Sequence, residues 1–401
     1  MFPRSASGPP DQYRMADLEF FPAGDNLVLA CTRSGHKTCF LRAEIVDLLT
    51  NCREFKPLDE HIQAYCQGGQ ANAVMISTLR RELQRLAQNG YLLSQSDILA
   101  DLHRSVERDL SPGITCIGFP TSERVETLQR GLSSYLEHCQ HFGRTCDFVV
   151  MDNSTRPTVR EAYRQMLRDL RSRYGVSIAY AGLEEKMAFI EKLSEMGDLP
   201  FESVSFACIG DEQYGTTRVG ANRNAMLLHT VGECIFSVDD DTLCQITAAP
   251  NRQEHRLSFR SRGDPVEVWF FADQQSMLRS VQFVEQDLLT LHEQWLGKDP
   301  CSSVTASEQE YEIEFDQAEP RFLQRLQTGL GTCIVTMNGV VGDCRWDNPH
   351  YSLFLQGDSF DRLTLSEQEY HSARATREML QAVKQTTVTE RAGPLFATCI
   401  G

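Results

Sequence analysis

Apolar positions along this chain follow two patterns, and the change between them falls near residue 113. Before it, short apolar runs mix with helical spacing. LVLAC at 27–31 and TCFL at 38–41 flank a polar turn and predict two short strands. LRAEIVDLLTNC then puts Leu41, Ile45, Leu48 and Leu49 at helical spacing. KPLDEHIQAYC opens a second helix at Pro57. ANAVMISTLRRELQRLAQ sets Val74, Leu79, Leu83 and Leu86 near one stripe and stops at Asn89-Gly90. The following YLLS reads as a short strand or wing. Residues 14–95 thus predict a small winged-helix α+β domain. Residues 1–13, rich in Pro, Ser and Gly, read as disordered. Residues 96–113 read as a linker helix closed by Pro112-Gly113.

From 114 onward, continuous apolar runs alternate with amphipathic segments. ITCIGFP, CDFVVMD, VSIAYAG and CIFSVDDDT are the strand candidates. Between them lie helical stretches: one capped by Thr121 or Ser122, one ending at Gly175, EEKMAFIEKLSEMG, and NRNAMLLHTVGE. LPFESVSFAC and the residues after it read as an inserted hairpin or a covering loop. Buried strands separated by helices predict an α/β fold, a mostly parallel Rossmann-like sheet with helices on both faces. Ligands of such sheets sit beyond the carboxyl ends of the strands. Asp152, Asn153, Asp239, Asp240 and Asp241 all fall at such ends.

Composition narrows the partners. The formal net charge of -16 repels phosphate backbones and excludes nucleic acid as the expected partner, since no dense basic run offsets it. The 14 cysteines form no CxxC pair and lie inside apolar segments, which fits reduced thiols in a cytoplasmic protein. No apolar run reaches the ~20 residues that a membrane span needs.

In SVDDDT, a continued strand would point Asp239 and Asp241 to one side. Two converging carboxylates suit Mn2+ or Mg2+, which would neutralise a diphosphate; a solvated acidic turn is the alternative. Just upstream, VGANRN places Gly220, Arg223 and Asn224 at a helix start, where Arg and free N–H groups can hold phosphate. Arg223 could equally make a surface ion pair, Asn224 a helix cap and Asp152 an Asx turn.

Two resemblances follow from these residues. The 14–95 layout, with its LxxLxxNGYL-like ending, resembles the small PqqD-like peptide-recognition element of enzymes that modify ribosomally made peptides. In that family a leader peptide adds as a strand to the sheet edge. A purely structural role or DNA binding are the other readings of such a module. Pro120, Asp152-Asn153, GANRN and VDDD, in that order, resemble nucleotide-sugar glycosyltransferases of the GT-A fold, most closely the large family 2 group. The likeness implies a GT-A domain over 114–401. Pro120 and Thr121 would line the nucleotide pocket and Asp152 would meet the base. Arg223 and Asn224 would lie near the donor, and Asp239 and Asp241 would contact ribose, diphosphate and metal. The sugar would pass from a nucleoside diphosphate to an acceptor, which could be a peptide or protein recruited by the N-terminal module. The family's Asn-Glu pair after the first strand is replaced here by TSER, with Glu123 as its stand-in.

Downstream, strand-like pieces lie at 257–259, 266–271 and 310–316. Asp343 and Asp347 are the candidate catalytic bases, and His350 reads as a surface histidine. RLTLSEQEYHSARATREMLQAVKQ reads as an amphipathic helix, and the apolar AGPLFATCIG tail reads as a segment meant to continue. The cluster His138, Cys139, His141 and Cys146 matches no common zinc spacing. Two other functions fit the same sheet: a nucleotidyltransferase, which would release pyrophosphate, and a noncatalytic peptide-binding scaffold.

Overall fold

The computed structural model describes residues 10–33, 37–67, 72–104, 113–210, 218–261, 265, 267–271, 273–307, 310–315, 317–328, 331–342, 378–390 and 395–400. Its first elements are strands β1 (Tyr13–Met15), β2 (Leu18–Pro22), β3 (Leu27–Thr32) and β4 (Thr38–Arg42). Helices α1 (Ala43–Asn51), α2 (Leu58–Cys66) and α3 (Ala73–Gln88) follow, then β5 (Leu92–Ser94) and α4 (Gln95–Leu102). β2, β3 and β4 form an antiparallel sheet in that order, one strand more than the sequence suggested. β5 is no hairpin wing: it pairs with β1. β1 also begins inside the stretch expected to be disordered, because Asp11 accepts hydrogen bonds from Ser94 Oγ at 2.8 Å and Ser96 N at 3.2 Å. On α3, Leu79, Leu83 and Leu86 are buried, whereas Val74, in the first turn after the Asn72 cap, is exposed.

The next elements are β6 (Cys116–Thr121), α5 (Val125–His141), β7 (Asp147–Asp152), α6 (Pro157–Tyr174), β8 (Ile178–Ala181), α7 (Leu183–Gly197), α8 (Phe201–Cys208), α9 (Arg218–His229), β9 (Ile235–Ser237) and β10 (Ile246–Ala248). The sheet order is β8-β7-β6-β9, and every pairing in it is parallel. Alternation along β6 and β7 sends Cys116, Val149 and Met151 against Ile190, Val204, Cys208, Ala225 and Met226 of α7, α8 and α9. Phe119 points the other way, onto Tyr135 of α5, with ring centroids 5.5 Å apart. α9 approaches β6 so closely that a Cβ on Gly118 would lie 2.3 Å from Met226 Sδ. α6 ends, as expected, at Gly175, in the left-handed conformation with φ of 67°. The segment read as a hairpin or loop is helical over Phe201–Cys208, where Val204 and Cys208 complete the core.

The remaining elements are β11 (Arg256–Arg260), β12 (Glu267–Phe271), α10 (Gln274–Ser280), β13 (Gln282–Val284), α11 (Leu288–Glu293), α12 (Pro300–Ala306), β14 (Glu312–Glu314), α13 (Pro320–Thr328), β15 (Thr332–Asn338), β16 (Val340–Val341), β17 (Glu378–Ala382), β18 (Thr386–Glu390) and β19 (Leu395–Ile400). A mixed sheet runs β14-β11-β18-β19-β15, and a smaller one runs β12-β17-β16. Glu378–Ala382, part of a helix by its spacing, is strand β17. Cross-strand pairing with β12, Trp269 opposite Leu380, overrides its helical spacing.

Two compact units result. One comprises Met1–Leu110, Ala249–Val281 and Gln294–Gly401; the other comprises Ser111–Ala248 and Gln282–Glu293. The segment expected as one domain from 114 to the end therefore contributes to both. The fold is mixed α/β with parallel sheets. Among the described residues, no helix is long and apolar enough to cross a membrane. The twelve cysteines with described side chains are free thiols.

Candidate functional site

The chain runs outward through β6, β7 and β8, then returns to place β9 on the other side of β6. The β6/β9 boundary is therefore the topological switch point of the second unit, where crevices open beyond strand ends. Thr121 ends β6, and the three aspartates follow β9 at that boundary.

β9 stops at Ser237, before the acids. Thr242 N donates to Asp239 O at 3.1 Å, so Asp239 to Thr242 form a turn and strand alternation does not carry through. The side chains of Asp239 and Asp241 are 63% and 48% exposed, whereas that of Asp240 is 7% exposed. Asp240 Oδ2 accepts from Thr121 Oγ1 at 2.7 Å and Oδ1 from Arg124 Nη1 at 2.8 Å. Burial raises the Asp240 carboxyl above its ordinary range, opposed by these two donors. Arg124 Nη1 also lies 3.0 Å from Asp241 Oδ2, and Arg223 Nη2 lies 2.7 Å from Asp239 Oδ1. Two guanidinium groups thus partner three carboxylates. The turn packs on α5 at Gly131, where a Cβ would meet Asp240 O at 2.9 Å.

Thr121 does not cap α5. Its hydroxyl is 2.9 Å from Tyr163 Oη as well as bonded to Asp240. Burial pushes the Tyr163 phenol up to about 12. Pro120 is buried within β6.

Asp152 is fully buried. Its Oδ1 accepts from Ser154 N and its Oδ2 from Tyr180 Oη, each at 2.7 Å. Burial and then this bond raise the Tyr180 phenol. The base contact expected of Asp152 requires Tyr180 to move aside. Glu123, in the left-handed region with φ of 59°, accepts from the backbone N–H groups of Thr155 and Arg156 at 2.9 and 3.2 Å. It therefore joins the β6 and β7 loops.

Arg223 and Asn224 lie inside α9, which begins at Arg218, so the free N–H groups of a helix start are not theirs. Arg223 reaches Asp239, but Asn224 turns to Ala207 O at 3.2 Å. Asp343, Asp347 and His350 lie outside the described residues. His138 contacts Asp287, His141 contacts Glu285, and Cys139 and Cys146 are buried.

The sequence places Asp240 at a strand end without giving it a role, and gives no sign of Arg124, Tyr163 or Asn222. Lys186 had a visible signal: it shares the stripe of Leu183, Ile190 and Leu193 on α7, where a charge is out of place.

Among the described residues, no group of three or more His, Cys, Asp or Glu could hold a metal ion. Mg2+ is held by one or two carboxylates with phosphate and water completing its shell; the carboxylates the turn leaves exposed are Asp239 and Asp241, each paired with a different arginine. Comparison with family models, curated proteins and solved structures found no match.

Proposed function

We propose that the chain is a nucleotide-sugar-dependent glycosyltransferase whose donor site lies at the β6/β9 strand ends. The Thr121–Asp240 bond carries this reading, because it fixes an acidic turn at the switch point of a parallel sheet. Three carboxylates against two arginines leave one net negative charge, which repels a bare diphosphate. A divalent cation, Mn2+ or Mg2+, would reverse that balance, with Asp239 and Asp241 as its protein ligands. Their exposed ion pairs are worth about 0–1 kcal/mol each, so they yield readily to a stronger partner. When bound, the cation would supply charge neutralisation at the leaving diphosphate.

The chain's own residues supply the rest. Asp240, held by Thr121, orients Arg124. Arg124 and Arg223, half-exposed, turn their remaining N–H donors to diphosphate oxygens. The acceptor hydroxyl, amide or thiol would bond to the anomeric carbon as the bond from that carbon to the diphosphate breaks, its proton passing to a carboxylate base or to water and the nucleoside diphosphate leaving.

The acceptor is a peptide or protein recruited by the N-terminal β2-β3-β4 sheet. In support, β4 is an edge strand of that sheet among the described residues, and its Phe40 is 65% exposed. The test is a thermal-shift screen of nucleoside diphosphates with and without Mn2+, followed by analysis of the released product. Release of pyrophosphate would indicate nucleotidyl transfer. Peptide binding without turnover of any sugar nucleotide would indicate a scaffold.

A further inference from the structure

Lys186 is only 3% exposed, although it carries an ammonium group. Its Nζ donates to Asp152 O at 3.0 Å, Asn153 Oδ1 at 2.6 Å and Asn222 Oδ1 at 2.5 Å. An ammonium has three N–H donors, and all three are used. Asn222 extends the cluster, since its Nδ2 donates to Met151 O at 2.7 Å and Thr121 O at 3.2 Å. One buried cation on α7 therefore ties the tip of β7 to α9, and through Asn222 to the tip of β6. Thr121 in turn holds Asp240.

We propose that Lys186 is a positioning residue for the donor site: its ammonium staples the Asp152–Asn153 tip to α9 and so presets the surface that receives the nucleoside. This rests on the nucleotide-sugar reading, whereas the staple itself is a claim about the fold. A buried lysine is rare because its charge must leave water. An apolar side chain could fill the same space, but it would give these three oxygens no donor. Retaining the cation makes sense where three oxygens from two elements must be held in one arrangement.

The arrangement is sensitive to protonation. Burial lowers the Lys186 amine to about 8, opposed by the Asp152 charge. The titratable groups facing it are Asp152 on β7 and Cys208 on α8. Its neighbours in sequence, Glu184 and Glu185, pair outward with Arg160 and Arg164. A neutral amine has two donors, so raising the pH through about 8 leaves one of the three oxygens without its partner.

The experiment has three arms. The first compares amide exchange in wild type and Lys186→Met over residues 151–154 and 219–224. Exchange at least about tenfold faster in the variant is expected; unchanged protection overturns the staple. The second titrates both proteins with uridine, guanosine and thymidine diphosphates in Mn2+. The diphosphate that binds wild type should bind the variant at least about tenfold more weakly, and affinity within twofold overturns the positioning role. Binding of none by wild type would refute the nucleotide reading, and with it the positioning role, while the exchange arm still decides the staple. The third keeps the proposal testable if Lys186→Met does not fold. Wild-type affinity should fall several-fold from pH 7 to pH 9, and a flat profile overturns the role of the ammonium.

Discussion

Arg124 Nη1 bridges two carboxylates, 2.8 Å from Asp240 Oδ1 and 3.0 Å from Asp241 Oδ2. The two contacts differ in kind. Asp240 is buried and shares its second oxygen with Thr121, whereas Asp241 is half-exposed. The former belongs to the framework and the latter is open to solvent.

Substitution should separate these roles. Asp240→Ala removes the buried carboxylate that Thr121 and Arg124 share, leaving Thr121 with Tyr163 and Arg124 with the exposed Asp241, and is expected to cost about 1–3 kcal/mol of stability. Asp241→Asn should change stability by less than about 0.5 kcal/mol, as exposed positions do. It should nevertheless abolish the cation-dependent part of nucleotide binding. Urea unfolding and titration calorimetry check the pair, and equal stability losses would remove the distinction.

Two glycines report on how the turn is seated. Gly131→Ala drives a Cβ against the Asp240 backbone oxygen at 2.9 Å, which cannot rotate away. A loss of about 1–3 kcal/mol is expected, as for overpacked cores, together with weaker nucleotide binding. Gly118→Ala meets the Met226 thioether instead. It should cost stability while leaving nucleotide affinity within twofold. Denaturation and binding curves on both variants are the check, and identical behaviour would mean that the turn's position is irrelevant to the ligand.

The peptide role is best tested by a point change. Deleting the N-terminal residues would disturb a unit they share with the C-terminal strands, where Arg14 Nη1 donates to Ala318 O at 2.5 Å. Phe40→Lys places a charge on the exposed β4 edge instead. For a peptide selected against the wild-type protein from a displayed library, affinity should fall at least about tenfold, with nucleoside diphosphate affinity unchanged. Retained peptide binding would move the acceptor site elsewhere.

The parallel strands were legible because both faces are covered, which writes them as unbroken apolar runs such as DFVVMD. Gly175 and Asn89-Gly90 marked helix ends for the same local reason. The acid turn was legible in place but not in orientation. Whether a strand runs through SVDDDT depends on Gly131 and Thr121, both more than a hundred residues upstream. Alternation assigns roles to Asp239 and Asp241 alone, whereas Asp240 is the acid the fold holds. Glu378–Ala382 shows the same limit: its helical spacing yields to strand partners that local sequence does not reveal.

The most direct test of the central claim is calorimetric titration of wild type and Asp241→Asn with uridine, guanosine and thymidine diphosphates, in Mn2+ and in chelator. One diphosphate should bind wild type in Mn2+ and lose most of its affinity both in chelator and in the variant. Binding of none, or equal binding under all four conditions, would contradict a cation-assisted diphosphate site at these strand ends.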